Sequence, residues 1–162
     1  MENVSLGLLS QKYNVPSLVE LQNTFPVPVG VICEQLGIKI YELPLSDDIS
    51  GRVYREDNSY FIETNLRQVQ TRRRFTIAHE LGHYCLHKDF LDISGMILER
   101  STMSEVIKDK EYEADDFAAE LLMPKQHFVE KYNQSSNISE LSKYFMVSSA
   151  AVRVRLNSLS IY

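Results

Sequence analysis

Residues 75–87 read Phe75-Thr76-Ile77-Ala78-His79-Glu80-Leu81-Gly82-His83-Tyr84-Cys85-Leu86-His87, and their spacing decides what the rest of the chain must build. Three of the chain's four His fall in this stretch. On a helix, His79 and His83 stand one turn apart on one face. Both rings can then reach a single divalent ion at about 2.0–2.1 Å. Glu80 follows the first His by one residue, about 100° around the helix. It is poorly placed to ligate beside both His, and well placed to hold a water at the ion and take its proton. His-Glu-x-x-His is a zinc-hydrolase helix pattern. The spacing predicts a helix over 71–87 with Thr71 as N-cap. Thr76, His79, His83 and His87 form one stripe, with Glu80 at its edge. Ile77, Ala78, Leu81 and Cys85 form the opposite, apolar face, so the helix turns its His to a cleft and its back to a core.

An open catalytic zinc site takes three protein ligands. Leu86 and Asp89 stand where a metzincin needs Gly and His, which removes that class. The third ligand is therefore a downstream acid or the remaining histidine, His127. A second helix, predicted over 104–122, supplies acids in two sets. Glu111 and Asp115 share a face with Ala118, Ala119 and Leu122. Glu113, Asp116 and Glu120 share the opposite face, expected to be solvated. An acid in an apolar stripe needs a reason, because burying a lone charge is costly. Ligation by Glu111 supplies one, with Glu113 the alternative if the wheel is off by half a turn. Asp115, one turn on, could accept a hydrogen bond from a ligand His and fix its tautomer. His87 is expected to brace the ligands, His127 to lie at the surface, and Cys85 to be core. The ligand types favour Zn²⁺, with Mn²⁺ or another divalent ion such as Fe²⁺ also suited to two His and a Glu.

Around these helices the pattern is that of an α+β chain. Residues 1–25 are weakly patterned, an N-terminal extension. Val29 to Leu36 has helical spacing, with Gly37 as its stop. Ile38 to Leu43 reads as a strand, and residues 51–63 as a hairpin turning at 56–59, giving a small, mostly antiparallel sheet of about three strands. Residues 88–103 read as irregular, with Met96 to Leu98 an edge strand along which an extended substrate could lie. Pro124 opens a helix to Tyr132. Helices at 138–144 and 148–158 follow a polar linker, so 133–162 forms a C-terminal subdomain.

Composition agrees with one ordinary domain: 162 residues, 44% apolar, net charge −5. That apolar share excludes wholesale disorder, and the acidic balance argues against a chain built mainly to grip nucleic acid. Two Cys, Cys33 and Cys85, make no disulfide framework. The N-terminal residues lack the basic and apolar regions of a secretory signal, and no stretch approaches a membrane span. A cytoplasmic protein without membrane contact is expected.

Arg74-Phe75-Thr76-Ile77-Ala78-His79-Glu80-Leu81-Gly82-His83, then Leu86-His87, then Glu111 through Pro124, resemble the ImmA/IrrE family of bacterial metallopeptidases, and the likeness runs in order over roughly residues 26–158. It implies a gluzincin-like domain over 26–132, its small sheet packed on a zincin-like active-site helix, with metal on His79, His83 and Glu111 and with Glu80 as base. Many members carry Asn where this chain has Asp115. The resemblance also implies a biological setting, since family members typically cleave helix-turn-helix repressors in mobile-element or stress responses and so release transcription.

The expected activity is thus metal-dependent endoproteolysis, with Tyr84, Tyr112 and His87 as candidates to stabilise the oxyanion. The alternative is a non-catalytic regulatory module that binds a repressor or DNA through its C-terminal helices. Residues 138–157 look like a helix-turn-helix, capped by Ser148, whose Arg153 and Arg155 could meet phosphates. Few base-reading side chains accompany them, so packing of this helical pair against the catalytic domain is favoured over DNA binding. Arg72-Arg73-Arg74 is expected to be a solvated turn with one Arg pairing locally, with a substrate-carboxylate role for one of them the lesser alternative.

Overall fold

A computed structural model describes residues 17–94 and 105–161. Its elements are α1 (Ser17–Gln22), α2 (Val29–Gln35), β1 (Ile38–Leu43), β2 (Gly51–Glu56), β3 (Ser59–Asn65), α3 (Gln70–Leu86), α4 (Lys88–Ser94), α5 (Glu105–Leu122), α6 (Lys125–Gln134), α7 (Ile138–Phe145) and α8 (Ser149–Ser158). The fold is α+β, a small sheet with helices around it. None of the described helices is long and apolar enough to cross a membrane. The edge strand expected at Met96–Leu98 lies outside the described residues, as do the first sixteen of the N-terminal extension.

The sheet has the order β1-β3-β2. The β2–β3 pair is the expected antiparallel hairpin, with Glu56 opposite Ser59 and Asp57 at φ 52°, the left-handed conformation a two-residue hairpin turn demands. The other pair is parallel: Ile38 to Leu43 run beside Tyr60 to Asn65. The sheet is therefore mixed rather than mostly antiparallel. The loop after β1 carries the chain past its neighbour's place, and β3 then fills the middle. Ile62, fully buried, is flanked in register by Ile40 and Val53. Asn65 fixes the loop, its side-chain amide donating to the carbonyls of Leu45 (3.3 Å), Ser46 (3.0 Å) and Ile49 (2.9 Å).

Helix α3 packs between the sheet and α5. Every residue from Thr76 to Cys85 is buried, so it is enclosed on all sides rather than on one apolar face. It starts at Gln70 with Val69 as N-cap and no side-chain cap, so Thr71 lies inside the first turn instead of capping it. Where residues 88–94 read as irregular, α4 forms. The His87 carbonyl accepts from the Phe90 and Leu91 N–H groups, and buried Leu91 anchors the turn. Gly37, at φ 74°, stops α2 as expected. Asn137 caps α7, accepting from the Ser139 and Glu140 N–H groups, and Ser148 caps α8 through the Ala151 N–H.

Phe128, Phe145, Val147 and Val152 belong to the same buried cluster as Ile62 and Leu81. Two arginines tie the C-terminal helices to the rest. Arg74 is not in a solvated turn but within α3, donating to the carbonyls of Met146 (3.2 Å) and Val27 (3.0 Å), and its burial pulls its pKa down. Arg155 points inward, donating to the Met123 carbonyl at 3.0 Å and pairing with Glu120. Its guanidinium is thus taken up inside the protein and does not face solvent as phosphate contact requires. Glu120, expected on a solvated face, is held by that pairing and by the Lys125 N–H.

Candidate metal centre

Two helices meet at the site because one residue on each is small. Gly82 of α3 faces Ala114 of α5, and the close approach places Glu111 opposite the His79–His83 stripe. His79 Nε2 and His83 Nε2 lie 3.1 Å apart. The Glu111 carboxylate spans them, one oxygen 3.3 Å from His79 Nε2 and the other 3.1 Å from His83 Nε2. Donor atoms about 2.0–2.1 Å from one ion at tetrahedral angles stand about 3.3–3.4 Å apart. Two imidazole nitrogens and a carboxylate oxygen at these separations suit a single divalent ion, and among the described residues His79, His83 and Glu111 form the group that could hold one. The two His are buried and Glu111 is partly so, with side-chain exposures of 6%, 2% and 15%.

The far nitrogens are engaged as well. His79 Nδ1 is 2.7 Å from Asp115 Oδ1. His83 Nδ1 is 3.0 Å from His87 Nδ1, and His87 Nε2 is 2.8 Å from Glu113 Oε2. One assignment satisfies all of these: His79 donates through Nδ1 to Asp115, His83 through Nδ1 to His87, and His87 through Nε2 to Glu113. With an ion bound, both facing Nε2 atoms would be free of protons and would present lone pairs to the shared point. Glu113, expected at the solvated face or as the alternative ligand, instead reaches His87 and is not part of the three-residue group.

The electrostatics follow the same geometry. Burial lowers the His79 pKa, but its hydrogen bonds with Asp115 and Glu111 outweigh that and lift it to about 9. Burial dominates at His83 and His87, and both pKa values fall. For Glu111, burial works upward, but the His79 and His83 hydrogen bonds win and hold the carboxyl far below its usual range. An anionic Glu111 between two imidazoles is the charge state a cation needs.

Glu80, 8% exposed, opens with His79 onto a pocket of about 200 Å³ that is also lined by Ser50, Arg72, Phe75, Thr76 and Asp115. Sequence reasoning missed Ser50 here. Its hydroxyl accepts from Gln68 (3.0 Å) and Arg72 (3.3 Å), which turns the Arg72 side chain along the pocket wall. No motif signals it; only the pinned 44–50 loop carries it there. Gly51 beside it is required by space, since a Cβ would stand 2.5 Å from both the Glu63 carbonyl oxygen and Thr76 Cγ2. Tyr84 and Tyr112, two expected oxyanion donors, do not line this pocket. Tyr84 is buried edge-on against Tyr60, and Tyr112 is 70% exposed. His127, expected at the surface, is half-buried, stacked on Phe25 at 3.9 Å and hydrogen-bonded to Tyr144, and lies outside the ligand group.

The family model for the IrrE N-terminal-like domain, a peptidase family, matches residues 33–157. The chain belongs to this family. It is 35% identical over 101 residues to a protein named metallopeptidase ImmA from Bacillus subtilis (strain 168), covering 60% of this chain and 54% of that one. The chain thus spans about half the length of that curated relative. A solved structure titled Mycobacterium tuberculosis transcriptional regulator shares the fold, with a TM-score of 0.58 and 21% identity over 86% of this chain and 40% of the other.

Proposed function

We propose that this family member is a zinc-dependent endopeptidase whose ion is held by His79, His83 and Glu111 and whose general base is Glu80. The observation that carries the reading is the triangle of donor atoms, at 3.1 to 3.3 Å, beside a pocket into which Glu80 opens. A bound divalent ion would supply Lewis acidity, polarising the scissile carbonyl and making water acidic enough to lose a proton at neutral pH. Glu80 takes that proton and delivers it to the leaving amine. Asp115 holds the His79 ring, while His87 with Glu113 holds the His83 ring. Arg72 lines the same pocket and is the cation proposed to stabilise the negative charge that develops on the carbonyl oxygen.

The relative named metallopeptidase ImmA supports peptidase activity, and so a protein substrate. The specific reading is cleavage of a helix-turn-helix repressor in the cytoplasm of a bacterial cell. Arg155 turned inward weakens the alternative of a DNA-binding module. The test is Glu80→Gln. This variant keeps one zinc per chain and loses cleavage by a factor of about 10² or more. Cleavage at the wild-type rate by a zinc-loaded Glu80→Gln chain contradicts the mechanism.

A further inference from the structure

The catalytic pocket is too small to bind a polypeptide by itself. At about 200 Å³ it falls below the roughly 300–1,000 Å³ of sites that bury a ligand. A second cavity, of about 720 Å³, opens beside it and shares Arg72, Phe75 and Asp115 with it. The two cavities therefore adjoin, and the larger one leads to the pocket that Glu80 lines. Its walls are apolar: Val69 and Phe75 at the start of α3, Ala119 and Met123 on α5, and Ala151 and Val154 on α8. Val69 is 71% exposed and Val154 66% exposed, so neither serves the core. The banks carry Arg67 and Arg72 on one side and Asp115 and Asp116 on the other, while Arg155 is neutralised by Glu120. This balance does not suit a polyanion such as nucleic acid. It suits a polypeptide with apolar side chains and little net charge.

We infer that this groove is the arm of the substrate cleft that binds four or five residues to one side of the scissile bond and selects apolar side chains there. The inference rests on the peptidase reading and names the substrate chemistry for that site. The length comes from the α8 wall. Ser148 to Ser158 rises about 15 Å, and an extended chain covers that in four or five residues at about 3.3 Å each. The C-terminal helices thereby acquire a role: α8 is a wall of the cleft, and its exposed apolar residues read the substrate.

The experiment uses the zinc-loaded full chain carrying Glu80→Gln, so that peptides are bound and not cut. Two fluorescent nonapeptides of equal charge serve as probes, one with Leu, Val, Phe and Leu at its central positions and one with Ser at the same places. The apolar peptide binds and the Ser peptide does not. Val154→Asp and Ala150→Glu, both at exposed positions of a helix, weaken binding about tenfold or more. Val154→Leu retains it, and Val31→Asp, at an exposed position of α2, leaves it unchanged. Equal binding of both peptides, or binding indifferent to Val154→Asp, overturns the assignment. The same variants are then read in the Glu80 chain. Cleavage of the apolar peptide that Val154→Asp leaves untouched overturns the groove while the peptidase stands. Groove binding with no cleavage by the zinc-loaded Glu80 chain overturns the peptidase, and the substrate assignment with it.

Discussion

Gly82 and Ala114 set the distance between the helices that carry the site: a Cβ on Gly82 would stand 3.1 Å from the Ala114 Cα and 3.2 Å from its carbonyl oxygen. These neighbours are backbone atoms, which cannot swing aside as a side-chain end can. Gly82→Val therefore forces α3 and α5 apart, at a cost of about 1–3 kcal/mol. The same shift carries Glu111 away from His79 and His83. We expect a lower Tm together with weaker zinc retention, read by thermal denaturation and by competition with a chelator. Wild-type zinc affinity in a folded Gly82→Val chain contradicts this account of how the donor triangle is set.

The hydrogen bonds behind the ligands have their own signature. Asp115→Ala removes the acceptor for His79 Nδ1, and Glu113→Ala removes the acceptor for His87 Nε2. Each is expected to weaken zinc binding about 10–100-fold. Asp115→Asn keeps an oxygen at the same place and stays near wild type. Chelator competition on the three variants distinguishes positioning from mere negative charge, because a charge effect would cost Asn as much as Ala.

Zinc loading should depend on pH through His79. With its pKa lifted to about 9 from 6.5, His79 of the zinc-free chain is the imidazolium at pH 7, with its second proton on the Nε2 that faces Glu111. A raised pKa stabilises the folded zinc-free chain fully below pH 6.5, and that contribution is lost as pH rises through about 9. An ion at Nε2 must displace the proton. Apparent zinc affinity therefore rises with pH, approaching tenfold per unit between pH 7 and 9, in titrations at pH 7, 8 and 9. A flat profile contradicts the charged His79–carboxylate arrangement.

Arg155 and Arg153 separate anchoring from nucleic-acid contact. Arg155→Ala leaves the Met123 carbonyl and Glu120 without their partner, a loss of about 2 kcal/mol. That corresponds to about 4–8 °C in Tm. Arg153, exposed on the same helix, changes stability by less than about 0.5 kcal/mol when made Ala. Equal Tm values for the two variants would contradict the inward placement of Arg155.

The legible parts of this molecule were those written in local spacing. His79 and His83 at i and i+4 announce a ligand pair wherever the helix forms. Glu111 stands out because an acid in an apolar stripe needs partners, whereas Asp115, placed in the same stripe by its spacing, lies exposed at the edge of the site while reaching His79. Gly37 and Ser148 mark helix ends by conformations and caps that a few residues define. Tertiary pairing left weaker traces. Whether β1 joins β3 in parallel depends on where the 44–50 loop goes, and that loop is held by Asn65, a residue with no local signal. Arg74 and Arg155 look like surface charge in sequence, because the carbonyls they seek lie 72 and 32 residues away. Glu113 keeps a partly exposed position but reaches back to His87, a contact between residues 26 apart that spacing along one helix does not show.

The central claim is that a divalent ion on His79, His83 and Glu111 lets this chain cut a protein. The direct measurement is incubation of the zinc-loaded chain with its proposed substrate, a helix-turn-helix repressor from the same cell, with and without chelator, read by intact mass of the fragments. The account predicts two discrete fragments from one bond in the zinc-loaded reaction and an intact repressor once zinc is removed. An intact repressor in the presence of a chain shown to carry one zinc contradicts it.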